Sequence, residues 1–208
     1  FLLGARAAIN WFRGDLETAS RMFEELREKQ RSLGDTHGEQ NSALNLAEVE
    51  YARGRTHHAA EILREALPAV RAGADKILLV NLLVNLAGYL AVDDLAGAAA
   101  AAREALTIGS ELEPEHPQVA LAIEQIAFVS AKRGDFARAA LLEGYADAVV
   151  LAHKFVRDVT SSTTATHGRL TTLLREALVP EELARLSAKG AALASADAIA
   201  LALDEAEG

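Results

Sequence analysis

The sequence has no cysteine, which excludes disulfides and thiolate-bound metal and makes a reducing cytoplasm the expected setting. Proline is scarce, with four in 208 residues, so long helices can run with few interruptions. Aromatic residues make up only 5% of a chain that is 50% hydrophobic. Much of the apolar content is therefore alanine and leucine, the strongest helix formers, and a nearly all-helical protein is expected. Positive charge is also in deficit: 21 Lys and Arg stand against 30 Asp and Glu, a net charge of −9. That balance argues against nucleic acid, whose binding leans on neutralising phosphates, and against an anionic lipid surface.

Long apolar runs are missing as well. The longest, 77–92, contains Asn81 and Asn85 and is too short to span a bilayer, so it reads as a buried helix. No secretory leader is visible, because Phe1-Leu2-Leu3 is soon followed by charges. The chain opens without methionine, partway into a repeat, and is expected to be a piece of something longer.

What is present is a phrase that returns. RGDLETA begins at Arg13, RGRTHHA at Arg53 and RGDFARA at Arg133, and a shortened relative, VDDLAGA, begins at Val92. Gly14 and Gly54 are 40 residues apart, Gly134 lies 80 beyond Gly54, and Asp93 stands near the glycine position of the third copy. A period of this size suits two helices and two short turns, the unit of a repeat array. Each phrase reads as the turn between the helices. In the second copy Leu44, Ala47 and Tyr51 share a face before Gly54, and Ala59, Ile62, Leu63 and Ala66 share one after it. Glycine suits the helix end because it accepts the left-handed conformation. Ala19, Ala59, Ala98 and Ala139 take equivalent places early in each second helix, where small residues permit close helix approach.

The repeats fall at about 1–36, 37–74, 75–114 and 115–157. Ala47 to Ala59 and Ala127 to Ala139 each span 12 residues but Ala87 to Ala98 spans 11, so the third turn is one residue short. Pro117, in EPEHPQ, suits the first turn of a helix. The tail, 158–208, begins with polar residues and should form three helices near 163–178, 180–189 and 195–206. Pro180, Glu181 and Glu182 start the middle one and Ser195 is positioned to cap the last. Such a tail is a candidate cap over the array's open end.

The stretches NLAEVEYARGRTHHA, NLAGYLAVDDLAGA and IAFVSAKRGDFARA resemble tetratricopeptide repeats of the longer kind. The first copy departs, with Arg6 where Leu46, Leu86 and Ile126 stand. The stretch 133–203 resembles the C-terminal end of large bacterial regulators that couple a STAND-type ATPase to a DNA-binding or nucleotide-cyclase domain. The resemblance implies a right-handed α-solenoid of four helix pairs with a helical cap. It also implies a sensing and partner-binding role, with the first helices lining the concave surface. No phosphate loop, winged helix or cyclase motif is present here.

Few residues suggest chemistry. His57 and His58 are adjacent on a helix, point about 100° apart and lack a third ligand, so they read as exposed turn residues. His116, His153 and His167 are scattered, and Glu113, Glu115 and His116 cluster near a turn without a further ligand. The serines and threonines of 160–165 and the pair Asp93-Asp94 read as helix caps. No catalytic set can be assembled from spacing, so no enzyme, metal or cofactor is expected.

One series survives. Asn45, Asn85 and Gln125 recur every 40 residues, and Asn41 and Asn81 repeat one turn earlier. On the concave face that the resemblance implies, such amides could bond an extended peptide, or they could form structural ladders between neighbouring helices. Leu44, Glu48, Tyr51, Val84, Gly88, Glu124 and Phe128 should lie near them, and the two glutamates would favour a basic or neutral ligand. The expected partner is a protein or peptide, or neighbouring domains of the parent chain. The other reading is a self-association module, with Phe1, Leu2, Leu3, Trp11 and Phe12 supplying an apolar patch for a homodimer.

Overall fold

A computed structural model describes residues 2–155 and 161–204. Phe1, Thr160 and the expected boundary between repeats and tail at 157/158 lie outside the described residues. The described chain is all-helical, with no strand. The helices are α1 (Leu2–Phe12), α2 (Leu16–Ser32), α3 (Thr36–Ala52), α4 (Thr56–Ala72), α5 (Lys76–Leu90) and α6 (Leu95–Leu112). They continue with α7 (Pro117–Lys132), α8 (Phe136–Ala152), α9 (Ser162–Ala177), α10 (Pro180–Ala191) and α11 (Ser195–Leu203). No single helix among the described residues is long and apolar enough to cross a membrane. The chain divides into two compact units, Phe1–Leu82 and Leu83–Gly208, with the boundary inside α5.

In the first unit α1 packs on α2, α2 on α3 and α3 on α4. The turns explain the recurring phrase. Gly14, Gly34 and Gly54 have φ of 80°, 70° and 78°. At Gly54 the glycine N–H donates to Tyr51 O at 2.8 Å and the next N–H, of Arg55, to Glu50 O at 2.9 Å. The same pair of bonds recurs at Gly14 and Gly34, a Schellman close that satisfies the last carbonyls of each helix. Asp15 and Asp35 then accept from the N–H groups of Thr18 and Gly38, so stop and start are encoded in consecutive residues. A Cβ at Gly54 would meet nothing within 4 Å, so a side chain there suffers only from backbone strain. Gly54→Val should cost about 1 kcal/mol or more, read from thermal unfolding. An unchanged midpoint would contradict this account of the turn.

Ala19 and Ala59 have no exposed surface, and each sits on the buried side of a second helix; the first unit's core adds Phe23 and Leu63 from those helices and Ala43, Leu46 and Ala47 from α3.

In the second unit α7 packs on α6 and α8, α10 on α8 and α9 on α7, while α11 touches α6, α7 and α8. Ala98 and Ala139 are again buried. Gly134, with φ of 89°, repeats the Schellman close before Asp135. The short third turn is built differently: both Asp93 and Asp94 donate their N–H to Leu90 O, and no left-handed residue intervenes. Asp94 then caps α6 by accepting from Gly97 N–H at 2.8 Å. The missing residue is thus the left-handed glycine itself.

The tail helices lie close to their expected bounds, but Ser195 does not cap α11. The N-cap is Ala194, without a side-chain bond, and Ser195 Oγ instead donates to Glu115 Oε1 at 3.1 Å. Ser161 does cap α9, accepting from Thr164 N–H at 3.2 Å. The far end of α11 is held by two arginines: Arg103 donates to Leu203 O at 2.8 Å and Arg138 to Ala202 O at 3.2 Å.

Candidate functional site: a groove and a polar seam

In the first unit α1, α2 and α3 enclose a cavity of about 570 Å³. Trp11, Phe12, Phe23 and Leu26 line its apolar side, and Asn41 and Asn45 its polar side. Both asparagines are half-buried. The Asn41 amide donates to His37 O at 3.0 Å, one turn back, which leaves its oxygen turned away from the helix ladder. The indole nitrogen of Trp11 is buried without a hydrogen-bond partner. Gly4 and Ala8, one turn apart on α1, also border the cavity, so α1 presents a low wall there.

The remaining sequence-predicted residues of this unit do not line the cavity. Glu48 is buried at 6% exposure and Tyr51 is half-buried, and both have protein partners. Asn81 is half-buried, with its side-chain oxygen enclosed and unpaired.

In the second unit Asn85 is half-buried, but Glu124, Gln125 and Phe128 are not open to a ligand. Their exposures are 0%, 1% and 3%, and α9, one of the helices packed on α7, reaches Glu124 through His167 and Phe128 through Arg169. A side chain at Gly88 would meet Ser162, Thr166 and the Gln125 amide, so α9 passes closely over both α5 and α7 there. Part of the tail therefore lies across the polar face of α7.

This contact forms a seam of ionisable groups. His167 Nδ1 lies 3.1 Å from Glu124 Oε2 and 3.7 Å from Asp147 Oδ1. Thr171 Oγ1 donates to Glu143 Oε1 at 2.9 Å. The Arg169 guanidinium stacks 5.2 Å above the Phe128 ring, a cation–π contact. Gln125 is the exception, with neither its amide nitrogen nor its oxygen hydrogen-bonded although both are buried. Burial pushes the Glu143 carboxyl above its usual pKa; the Thr171 bond opposes this and the nearby Asp147 charge adds to it. A carboxyl raised in the folded state is best accommodated at low pH and weakens the fold as pH rises through its pKa. Glu143→Gln keeps an oxygen for Thr171 and removes the charge. It should raise the unfolding temperature at pH 8, with the gain shrinking toward pH 4; a gain independent of pH would contradict the assignment.

Sequence reasoning did not single out this seam. His167 read as isolated because its partners are 43 and 20 residues away in sequence. The available signal was Glu143 with Asp147, four residues apart on a mostly apolar helix. Glu124, Asp147 and His167 bring one donor atom each within 4.8 Å of one another, a spacing a divalent cation could use. Each already has protein partners, however, and the set serves here to join α7, α8 and α9.

The other candidates stay apart. His57 and His58 are exposed, and His58 sits 3.6 Å from Glu61. His116 Nδ1 accepts from Gln118 N–H and so caps α7. Glu113, Glu115, His153 and Ser195 border a shallow cavity of about 770 Å³, and Ser195 pairs with Glu115 there.

The chain matches no family model and no curated protein.

Proposed function

We propose that this chain is a non-catalytic recognition module that binds a protein or peptide partner through the first unit's groove. The observation that carries the reading is the cavity's composition: aromatic and aliphatic walls beside two half-buried amides, together with an indole N–H that lacks an acceptor. Apolar area supplies affinity and a few placed polar groups supply orientation, the usual division of labour in a binding site. The four 40-residue copies support a right-handed α-solenoid with first helices on its concave side. The resemblance of 133–203 to bacterial STAND-type regulators supports a place as the sensing arm of a signalling or transcriptional regulator in the cytoplasm.

The test is to pan a displayed random-peptide library on the immobilised chain and measure the enriched sequences against variants. Asn41→Ala or Asn45→Ala should weaken binding about three- to tenfold, the factor implied by one lost hydrogen bond, while helicity is unchanged. Enriched peptides that bind both variants as tightly as wild type would place recognition elsewhere.

A second reading, self-association, is favoured by one feature. Leu2 is 75% and Phe12 72% exposed, both on α1, whereas Leu3 and Trp11 are half-buried. Phe12→Arg should then shift a concentration-dependent dimer to monomer in sedimentation. A wild-type chain that is monomeric at every concentration would remove this reading.

A further inference from the structure

The chain contains its own example of an occupant seated on a first-helix face. By sequence, α3 and α7 occupy the same place in copies 80 residues apart, which sets Glu124, Gln125 and Phe128 against Leu44, Asn45 and Glu48. In the second unit the α7 set lies beneath α9. The occupant is a helix whose buried side is one stripe, Ser162, Thr166, Leu170 and Leu174, at four-residue steps and each with no exposed surface, while His167 and Arg169 reach Glu124 and Phe128 of α7. Small hydroxyl residues form one end of the stripe, where α9 passes Gly88, and leucines the other.

The buried Gln125 amide shows how such an occupant is received. A helical backbone keeps its N–H and C=O groups for itself, so it offers an amide nothing in the middle of its length. Gln125 lies beside the first turns of α9, near Ser162 and Thr166, and makes no hydrogen bond there. Side chains and shape, rather than a backbone ladder, hold α9 in place.

The first unit offers part of the corresponding face uncovered, although Glu48, in the place of Phe128, is buried at 6% exposure. Leu44 and Asn45 are half-buried rather than enclosed. Gly4 and Ala8 give α1 a low wall one turn long, as Gly88 does for α5, and Trp11 and Phe12 add aromatic surface to that wall. An occupant whose contacts recur every four residues advances about 6 Å per contact, one turn of helix.

We infer that the groove formed by α1, α2 and α3 takes an amphipathic helix of a partner chain, with small hydroxyl residues at one end of its buried stripe and leucines at the other. This rests on the recognition reading above and replaces the extended peptide with a helix, a docking mode that reads anchors at i and i+4.

The experiment uses the full chain and a synthetic peptide of residues 161–178 as the probe. The chain has no cysteine, and an ideal Cβ on Gly88 would lie 3.5 Å from Ser162 Cβ, within disulfide range. Gly88→Cys with Ser162→Cys, oxidised, therefore pins the chain's own α9 and leaves the first unit's groove to the peptide. If that variant does not fold, the wild-type chain serves, because its α9 already covers α7. Trp11 is the only tryptophan and reports on the groove by its fluorescence. A saturable change is expected. It should weaken at least about tenfold with a peptide carrying Thr166→Pro, since a mid-helix proline opposes the helix. Asn45→Arg in the chain should abolish it. Equal binding of the proline peptide would overturn the inference and leave the recognition reading standing, with an extended ligand. No saturable change with the parent peptide, or binding that survives Asn45→Arg, would also overturn it. The recognition reading fails only on its own test, with the library-selected peptides.

Discussion

Gly144→Ala should destabilise the protein by about 3 kcal/mol or more, and Gly190→Ala by a similar amount, read from urea unfolding. The reason is how closely α8 and α10 cross. A Cβ on Gly144 would fall on the carbonyl of Ser187, and a Cβ on Gly190 on the carbonyl of Leu141. Both obstacles are backbone, so no side-chain rotation relieves them and the helices must separate. Separation strips contacts from Leu142 and Leu186, which are 0% and 5% exposed. The two costs should not add, because once one alanine has pushed the helices apart the second meets less resistance. Wild-type stability in either variant would mean that the crossing is looser than described.

The second large effect concerns Glu50, which is 1% exposed. Its carboxylate accepts from Ser20 Oγ at 2.6 Å, Arg53 Nη1 at 2.7 Å and Arg55 Nη1 at 3.3 Å, and Arg53 also pairs with Glu17. This ties α2 to the end of α3 and to the turn that follows. Glu50→Ala should cost about 2 kcal/mol, since it leaves the buried Ser20 hydroxyl without its acceptor and Arg53 with Glu17 alone of its two carboxylates. Burial pulls the Glu50 carboxyl upward, but the bonds from Ser20 and Arg53 and the charges of Arg53 and Arg55 outweigh it, and its pKa lies below the usual value. A carboxyl lowered in the folded state stabilises the fold above its unfolded pKa, and that contribution disappears as pH falls through the folded one. The difference between wild type and Glu50→Gln should therefore be widest near neutrality and close in strong acid. A difference that widened in acid would contradict the assignment.

Helix order and boundaries were legible in the sequence because they rest on local rules. A left-handed glycine followed by an aspartate closes one helix and opens the next, and this happens at Gly14-Asp15, Gly34-Asp35 and Gly134-Asp135. Even the shortened third turn was visible as a missing residue. Burial of Ala59 and Ala139 followed from their recurrence in the copies.

The site was legible only in part. The 40-residue interval marked Asn45 and Gln125 as equivalent, yet one is half-buried beside a cavity and the other is sealed under α9. That difference comes from where a distant helix packs, which no local period encodes. The same holds for His167, whose partners Glu124 and Asp147 come from two other helices. Ser195 met every local criterion for a cap, but Glu115, 80 residues away, took its hydroxyl.

The central claim, that the groove of α1, α2 and α3 is the recognition surface, is tested most directly by nuclear magnetic resonance on the full chain. Trp11 is the only tryptophan, so its indole N–H gives a single assigned signal, and that N–H is buried in the groove's wall without a partner. Adding a library-selected peptide should move this signal saturably, with the same midpoint as the binding isotherm, and should move the Asn41 and Asn45 side-chain amides with it. A peptide that binds while these signals stay in place would contradict the account and put the surface elsewhere.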